Sequence, residues 1–414
     1  MSDDPDRGLR ALLDQPVFVR YWSAVIGSRL GMQILAVAVG WYVYDLTDSA
    51  LALGLVGLAQ FAPMAMVALP AGVVADRFNR RRILPIVLAI ECALIALMLA
   101  LLLVGSLGAE ALYVLLALHA AARGFETPLG SAIIPTLVPP SLLKTALAFN
   151  STSNQAIIIS GPAIGGLLYL LGPSVVFAVV TALFALACVM AVRLAAFPMA
   201  AAVPAPGGGG MAIFAGLAFI RQRPEILGAI SLDLMAVLLG GATALMPIFA
   251  RDILEVGPLG LGLMRAAPAV GAIAMGTWLT LRPIQHRMGH IMFAAVAVFG
   301  LATIGFGLSR SLPFSLFCLA VLGAADQVSV VIRITLVAIM TPDSLRGRVS
   351  AVNSLFIGTS NQLGEFESGV TAAWLGVVPA TIAGGLGTLA VVAAWLLLFP
   401  ALRRIDTIVA PRDK

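Results

Sequence analysis

Ten ionisable residues fall inside apolar runs of this 414-residue chain: Arg29, Arg123, Arg265 and Arg333, with Glu91, Glu126, Asp233, Asp326, Glu365 and Glu367. A charge at the centre of a membrane helix costs about 2.5–3.5 kcal/mol on insertion scales, so such groups must be paired, hydrated or protonated. Pairing each of the four arginines with one of the six carboxylates leaves two carboxylates over. In a medium of low dielectric an unpaired carboxylate favours its neutral form, which makes it a proton carrier. For any single one of the six, an ordinary interhelical salt bridge is the competing role. Arg29 and Gln33, four residues apart, share one helix face, as do Asp326 and Arg333, seven apart. Those faces are expected to line a central cavity. Glu365 and Glu367 are two apart, about 200° round a helix, so they must meet different surroundings. Asp233, Asp326 and Glu365 lead as proton or substrate contacts, followed by Glu91 and Glu126.

Other chemistry is sparse. His119 stands alone in an apolar run, where a core role outweighs a ligand role, and His286 and His290 lack the cysteine or carboxylate neighbours of a metal site. No metal is expected. Cys92, Cys188 and Cys318 all sit in apolar runs and are read as small core residues. The chain contains no G-x-x-x-x-G-K-[ST] loop, so direct coupling to ATP is not expected, and no nucleophile, base and acid set suggests an enzyme. Fifteen methionines could furnish a deformable pocket, although contact with lipid explains most of them equally well.

The elements that must hold these groups follow from composition. Hydrophobic residues make up 60% of the chain and charged residues 11%, against roughly 45–50% and about 25% in ordinary soluble domains, and the mean hydropathy is +1.03. A soluble enzyme is excluded. Apolar runs bounded by charge, Pro or Gly predict spans near 17–44, 51–74, 83–105, 110–133, 143–171 and 174–196, then 225–250, 259–281, 290–308, 312–339, 346–374 and 378–399. Between the two sets, PMAAAVPAPGGGG at 198–210 reads as a flexible linker, and Ile213, Phe214, Leu217 and Ile220 predict a short surface helix. The expected organisation is a six-helix bundle over 1–196, a linker with its surface helix over 197–224, and a second bundle with a tail over 225–414.

The halves also share sequence: PPSLLKTALAFNS at 139–151 and PDSLRGRVSAVNS at 342–354 align at an offset of 203. Duplicated transporter halves would produce such an offset. Of 25 basic residues, 19 fall in segments that are cytoplasmic if the N-terminus is inside, and only Arg251 and Arg310 face out. Both termini are therefore expected in the cytoplasm. The N-terminal stretch lacks a small-residue cleavage site after the first apolar run, so no cleaved signal peptide is expected. The net charge of +5 is spread over short loops, which points to the bilayer surface rather than to nucleic acid. Trp22, Trp41, Tyr42, Tyr44 and Trp395, near span ends, read as interfacial anchors.

Three motifs add a resemblance. The segment at 72–84, GVVADRFNRRRIL, places Asp76 four residues after Gly72 and four before Arg80, with Arg77 between. It resembles the signature loop of the major facilitator superfamily, G-x-x-x-D-R-x-G-R-R/K, with Asn79 in place of the second glycine. The resemblance implies that Gly72, Asp76, Arg77 and Arg80 form a conformational lock favouring the outward-facing state. In the fifth span, Gly161, Pro162, Gly165 and Gly166 resemble the antiporter motif of the superfamily's exporters, although Ile157 stands where an earlier glycine is often found. Arg123-Gly124-Phe125-Glu126 partly resembles the motif built round an embedded arginine in the fourth helix, and GEFESG at 364–369 resembles the branch containing enterobactin and macrolide or multidrug exporters.

These readings converge on an all-α membrane protein of twelve transmembrane helices in two pseudo-symmetric six-helix bundles. The expected function is proton-coupled export of a small hydrophobic or amphipathic molecule by alternating access, without a cofactor and with the proton gradient as energy source. The expected setting is a monomer in the bacterial cytoplasmic membrane, with lipid, protons and a small substrate as its partners. An importer with the same fold is the first alternative, and a non-transporting sensor or membrane enzyme the second.

Overall fold

The computed structural model describes residues 5–126, 129, 133–196 and 211–406; the side chains of a few helical residues, Gly72, Asp76 and Arg77 among them, are outside the described set. The linker expected at 198–210 likewise lies outside it. Among the described residues every regular element is helical. This is the physical solution for a chain in oil, because a helix satisfies its backbone hydrogen bonds internally.

The first helices are α1 (Pro5–Leu13), α2 (Pro16–Thr47), α3 (Ala50–Arg77), α4 (Arg80–Leu103), α5 (Ala109–Arg123), α6 (Leu143–Tyr169) and α7 (Pro173–Ala195). After the linker come α8 (Met211–Gln222), α9 (Pro224–Leu239), α10 (Gly257–Leu281), α11 (Met288–Leu308), α12 (Leu312–Met340), α13 (Asp343–Leu375), α14 (Val377–Leu398) and the short α15 (Pro400–Arg403). Local signals account for several boundaries. Proline occupies the first or second position of α7, α9, α10 and α12, where its missing N–H costs nothing. Asn79 caps α4 by accepting from the Arg81 N–H at 3.1 Å. Gly172 and Gly376 turn the chain at φ +103° and +86°, conformations that side chains with a Cβ avoid.

The expected spans fall largely on helix, although residues 127, 128 and 130–132 of the fourth lie outside the described residues and the span over 225–250 is interrupted. Among the described residues nine helical segments are long and apolar enough to cross a membrane by length and composition. The other three expected spans correspond to α5, α6 and α13. The described part of α5 is 15 residues long. Helix α6 carries the polar run 150–155, NSTSNQ, and α13 carries Arg346, Arg348, Asn353, Gln362, Glu365 and Glu367. Polarity of this kind marks helices whose side chains face protein or water rather than lipid.

Two compact units emerge from the packing. One comprises Met1–Tyr42 with Ala59–Gly207, and the other Val43–Leu58 with Gly208–Lys414. In the first, Phe18, Phe177 and Phe184 are fully buried, and the aromatic edge of His119 meets Phe184 with centroids 5.7 Å apart. In the second, the Phe249 and Phe306 rings meet at a tilt of 37° with centroids 4.4 Å apart. Large apolar side chains such as Leu97, Leu118, Leu171, Leu301, Phe317 and Leu397 remain exposed. In a membrane protein that is the lipid-facing surface, not an aggregation hazard.

Glycine sets the helix spacing in the second unit. A Cβ on Gly271 of α10 would collide with the carbonyl of Ala320, and one on Gly323 of α12 with the carbonyl of Pro268. The two backbones therefore touch, as small-residue seams in membranes allow. The segment expected as one span over 225–250 is broken instead. Helix α9 stops at Gly240–Gly241, a 3-10 turn runs over Ala242–Leu245, and a π-turn follows over Phe249–Ile253. Two hydroxyls take up carbonyls at the break: Thr388 donates to Ala236 O at 3.1 Å and Ser368 to Gly241 O at 2.9 Å. An interruption so satisfied is tolerated at membrane depth.

Candidate functional site

The first unit gathers its embedded charges around α2, α4 and α5. Glu91 of α4 is 1% exposed, and neither of its carboxylate oxygens finds a hydrogen-bond partner among the described residues. Glu126 and Arg123 act on it electrostatically, and Glu126 in turn feels Arg123 and Arg29. Arg29 Nη1 donates to Asn154 Oδ1 of α6 at 2.9 Å. Two arginines and two glutamates thus influence one another within one unit, in a low-dielectric setting where an unbalanced charge would be costly. His119 lies one turn before Arg123, with Nε2 buried and unpartnered among the described residues.

The glycine motif in α6 shapes this region. A Cβ on Gly161 would sit 2.5 Å from Gln33 Cβ, and one on Gly165 would sit 3.1 Å from the backbone of Ile34. The run therefore seats α6 directly on α2 and fixes the face carrying Arg29 and Gln33. Pro162, between these two glycines in the sequence, is buried. Gly166 is buried as well. Of the predicted lock, Arg80 begins α4 and is engaged in an interaction, while the side chains of Gly72, Asp76 and Arg77 lie outside the described residues.

The second unit holds the other cluster. Asp233 of α9 and Arg333 of α12 form an ion pair in which Arg333 Nη1 donates to Asp233 Oδ2, with Asp233 5% and Arg333 2% exposed. Ser329 donates to the other oxygen of Asp233 at 3.4 Å. Asp326 lies on the same face of α12, seven residues before Arg333, and forms no hydrogen bond among the described residues. A cavity of about 10 Å³ separates these groups, lined by Asp233, Asp326 and Ser329 with Ala236, Phe299 and Ala325. It has room for about one water. One arginine therefore faces two aspartates, and its charge is already engaged by Asp233.

A third pair lies nearby in sequence but on other elements. Arg265 of α10 and Glu365 of α13 are electrostatic partners. Glu365 also packs on the backbone of α3, where a Cβ added to Gly57 would come within 2.8 Å of its Cβ. Glu367 takes a different partner, accepting from Thr371 Oγ1 at 2.8 Å on its own helix. The two glutamates are thus separated as their spacing requires.

One cluster was not legible in the sequence. Arg251, expected only as an outward-facing charge, pairs with Asp48 at 2.8 Å, lies 3.8 Å from Asp45, and sits over the Tyr44 ring at 5.1 Å. Tyr44 donates to Asp252. Tyr44 is thus a buried hydrogen-bonding residue rather than a simple interfacial anchor, and the π-turn at Phe249–Ile253 is what aims Arg251 and Asp252 at it.

The model of the family described as transmembrane secretion effector matches residues 8–413. Enterobactin exporter EntS of Escherichia coli is 26% identical over 407 residues, covering 96% of this chain and 95% of that protein. Macrolide efflux protein A of Streptococcus pyogenes is 23% identical over 376 residues, covering 87% and 90%. In fold, the chain is similar to the nucleoside transporter NupG, with a TM-score of 0.73 at 11% identity over 92% of this chain and 100% of that one. A bacterial homologue of the lysosomal transporter Spinster gives 0.69 at 16% identity, with 97% of both chains covered. The chain belongs to the transmembrane secretion effector family of the major facilitator superfamily, and it is a multi-pass membrane transporter, not an enzyme.

Proposed function

We propose that this transporter exports a small amphipathic molecule in exchange for protons by alternating access, as a monomer in the bacterial cytoplasmic membrane with both termini inside. The observation that carries the reading is the surplus carboxylate beside the Asp233–Arg333 pair. Arg333 is engaged by Asp233, so Asp326, which has only a share of that one charge, faces a small water-sized cavity without an ion pair of its own among the described residues. A proton is the smallest cation able to neutralise it, and the proton can come and go with water.

In the proposed cycle, Asp326 loses its proton to the cytoplasm and the cavity takes up substrate. Reprotonation from outside then favours substrate release. Such coupling requires proton and substrate to bind the two states unequally. The lock at Gly72, Asp76, Arg77 and Arg80 would set the resting bias between those states. Glu91 with Glu126, and Glu365 with Arg265, are the further candidates on the proton route, and Arg29, Gln33, Arg123 and Glu367 on the substrate path. The export direction and the amphipathic substrate class are supported by relatives named for enterobactin export and macrolide efflux over nearly their whole length.

Energised inverted vesicles test the proposal. Solutes from a panel headed by a macrolide and enterobactin should collapse the pH gradient in vesicles carrying the parent chain. Asp326→Asn should abolish that response and Asp326→Glu should keep it. Full pH-driven transport in Asp326→Asn would remove the assignment.

A further inference from the structure

At the end of the second unit where α10 gives way to α11, the chain builds a basic recess that the transport reading leaves unused. Its lining is Arg287, His290, Arg403, Arg404, Ile405 and Asp406, around a volume of about 470 Å³. The walls are fixed by backbone contacts. The Met288 and Gly289 N–H groups donate to Asp406 O at 3.3 Å and Ile405 O at 3.0 Å, so the residues after α15 strap the start of α11. A Cβ on Gly289 would collide with the carbonyl of Leu402, which holds the strap close.

Asp406 is the single acid among the lining residues, and it is occupied. Its Oδ1 accepts the Arg287 N–H at 2.8 Å, and its Oδ2 lies 3.5 Å from His286 Nδ1. Arg403 and Arg404 form no ion pair among the described residues. The recess is therefore net positive, with two uncommitted guanidiniums suited to the paired oxygens of a phosphoryl group.

Depth in the membrane selects the source of that phosphate. Helix α14 packs on α11 and ends five residues before Arg403, and its last residues, Leu397 and Leu398, are exposed apolar side chains. Trp278, one turn before the end of α10, lies under the Arg282 guanidinium at 5.4 Å and is itself exposed, as aromatic anchors at the headgroup level are. A molecule seated there meets arginines at one end and bare leucines at the other. We propose that the recess binds the phosphodiester headgroup of an anionic phospholipid, its acyl chains lying along the exposed leucines at the end of α14.

The test uses the full chain, delipidated in a neutral detergent and titrated with short-chain phosphatidylglycerol, short-chain phosphatidylcholine or inorganic phosphate, with bound lipid counted by native mass spectrometry. Phosphatidylglycerol should bind in preference to phosphatidylcholine, and millimolar phosphate should not displace it. At roughly fivefold per arginine near an anionic surface, Arg403→Gln with Arg404→Gln should weaken phosphatidylglycerol binding about thirtyfold. Arg287→Gly is the second variant. Arg287 holds φ +56°, which glycine adopts without strain, so this change removes a guanidinium without loading the backbone and should weaken binding about fivefold. Equal affinity for both lipids, displacement by phosphate alone, or undiminished binding in the well-folded Arg287→Gly protein would overturn the proposal.

Discussion

Removing either partner of the Asp233–Arg333 pair should cost far more stability than removing both. The pair is nearly sealed from solvent, with 5% and 2% exposure. Asp233→Leu leaves the buried Arg333 guanidinium without its hydrogen-bonded anion, Asp326 acting on it only electrostatically, and Arg333→Met leaves the Asp233 carboxylate with only the long bond from Ser329 at 3.4 Å. Breaking one side of a buried pair costs about 3–5 kcal/mol, whereas replacing both sides by apolar groups of similar volume is neutral or stabilising by about 1–4 kcal/mol. Additive effects would put the double variant Asp233→Leu/Arg333→Met roughly 6–10 kcal/mol below the parent. The buried-pair argument instead puts it within about 1 kcal/mol of the parent or above it. Equilibrium unfolding in mixed micelles, titrated with a denaturing detergent, reads both singles and the double in one thermodynamic cycle. Singles costing less than about 1 kcal/mol, as exposed pairs do, would refute the premise that this pair is desolvated. A double variant as unstable as the sum of the singles would refute the premise that each charge is costly only without the other.

Two further outcomes follow from particular contacts. Gly323→Ala should destabilise by about 1–3 kcal/mol through overpacking against the Pro268 carbonyl, while Gly358→Ala, whose Cβ meets nothing within 4 Å, should be neutral or slightly stabilising by thermal unfolding. The Asp406 carboxyl is held below the usual carboxylate range, first by the backbone bond from Arg287 and then by His286. A depressed folded pKa means that its hold on the α10–α11 connection is fully present above about pH 4 and is lost as pH falls through the folded value. Amide exchange at Arg287, corrected for intrinsic rate, should accordingly rise between about pH 5 and about pH 2, and Asp406→Asn should show the faster exchange throughout. A flat profile in the parent would count against it.

The helices were legible because lipid makes composition decisive. A run of apolar residues long enough to span has one satisfactory backbone, and the runs read at 290–308 and 378–399 match α11 at Met288–Leu308 and α14 at Val377–Leu398. A short helix does follow the linker, at Met211–Gln222, close to the periodicity that suggested it, but it packs on α13 with Ile220 fully buried. What the runs could not display is where a span breaks. Gly240 and Gly241 look like two more glycines in an apolar stretch, and their role depends on Ser368 and Thr388, more than a hundred residues away. Pairings were hidden for the same reason. Asp326 and Arg333 share a face of one helix, which is all that spacing can say, yet the partner of Arg333 is Asp233 on another helix. The Arg251 cluster depends on a π-turn, and nothing in the sequence of 249–253 announces one.

The seam between α10 and α12 has a mechanical consequence. With the Ala320 carbonyl seated where a Gly271 side chain would begin, and the Pro268 carbonyl likewise at Gly323, neither rod can slide or screw along the other without driving a methyl or a carbonyl into backbone. The two are keyed, as a shaft is to its wheel. Whatever strokes the molecule makes, Arg265 on one rod and Asp326 with Arg333 on the other must ride together.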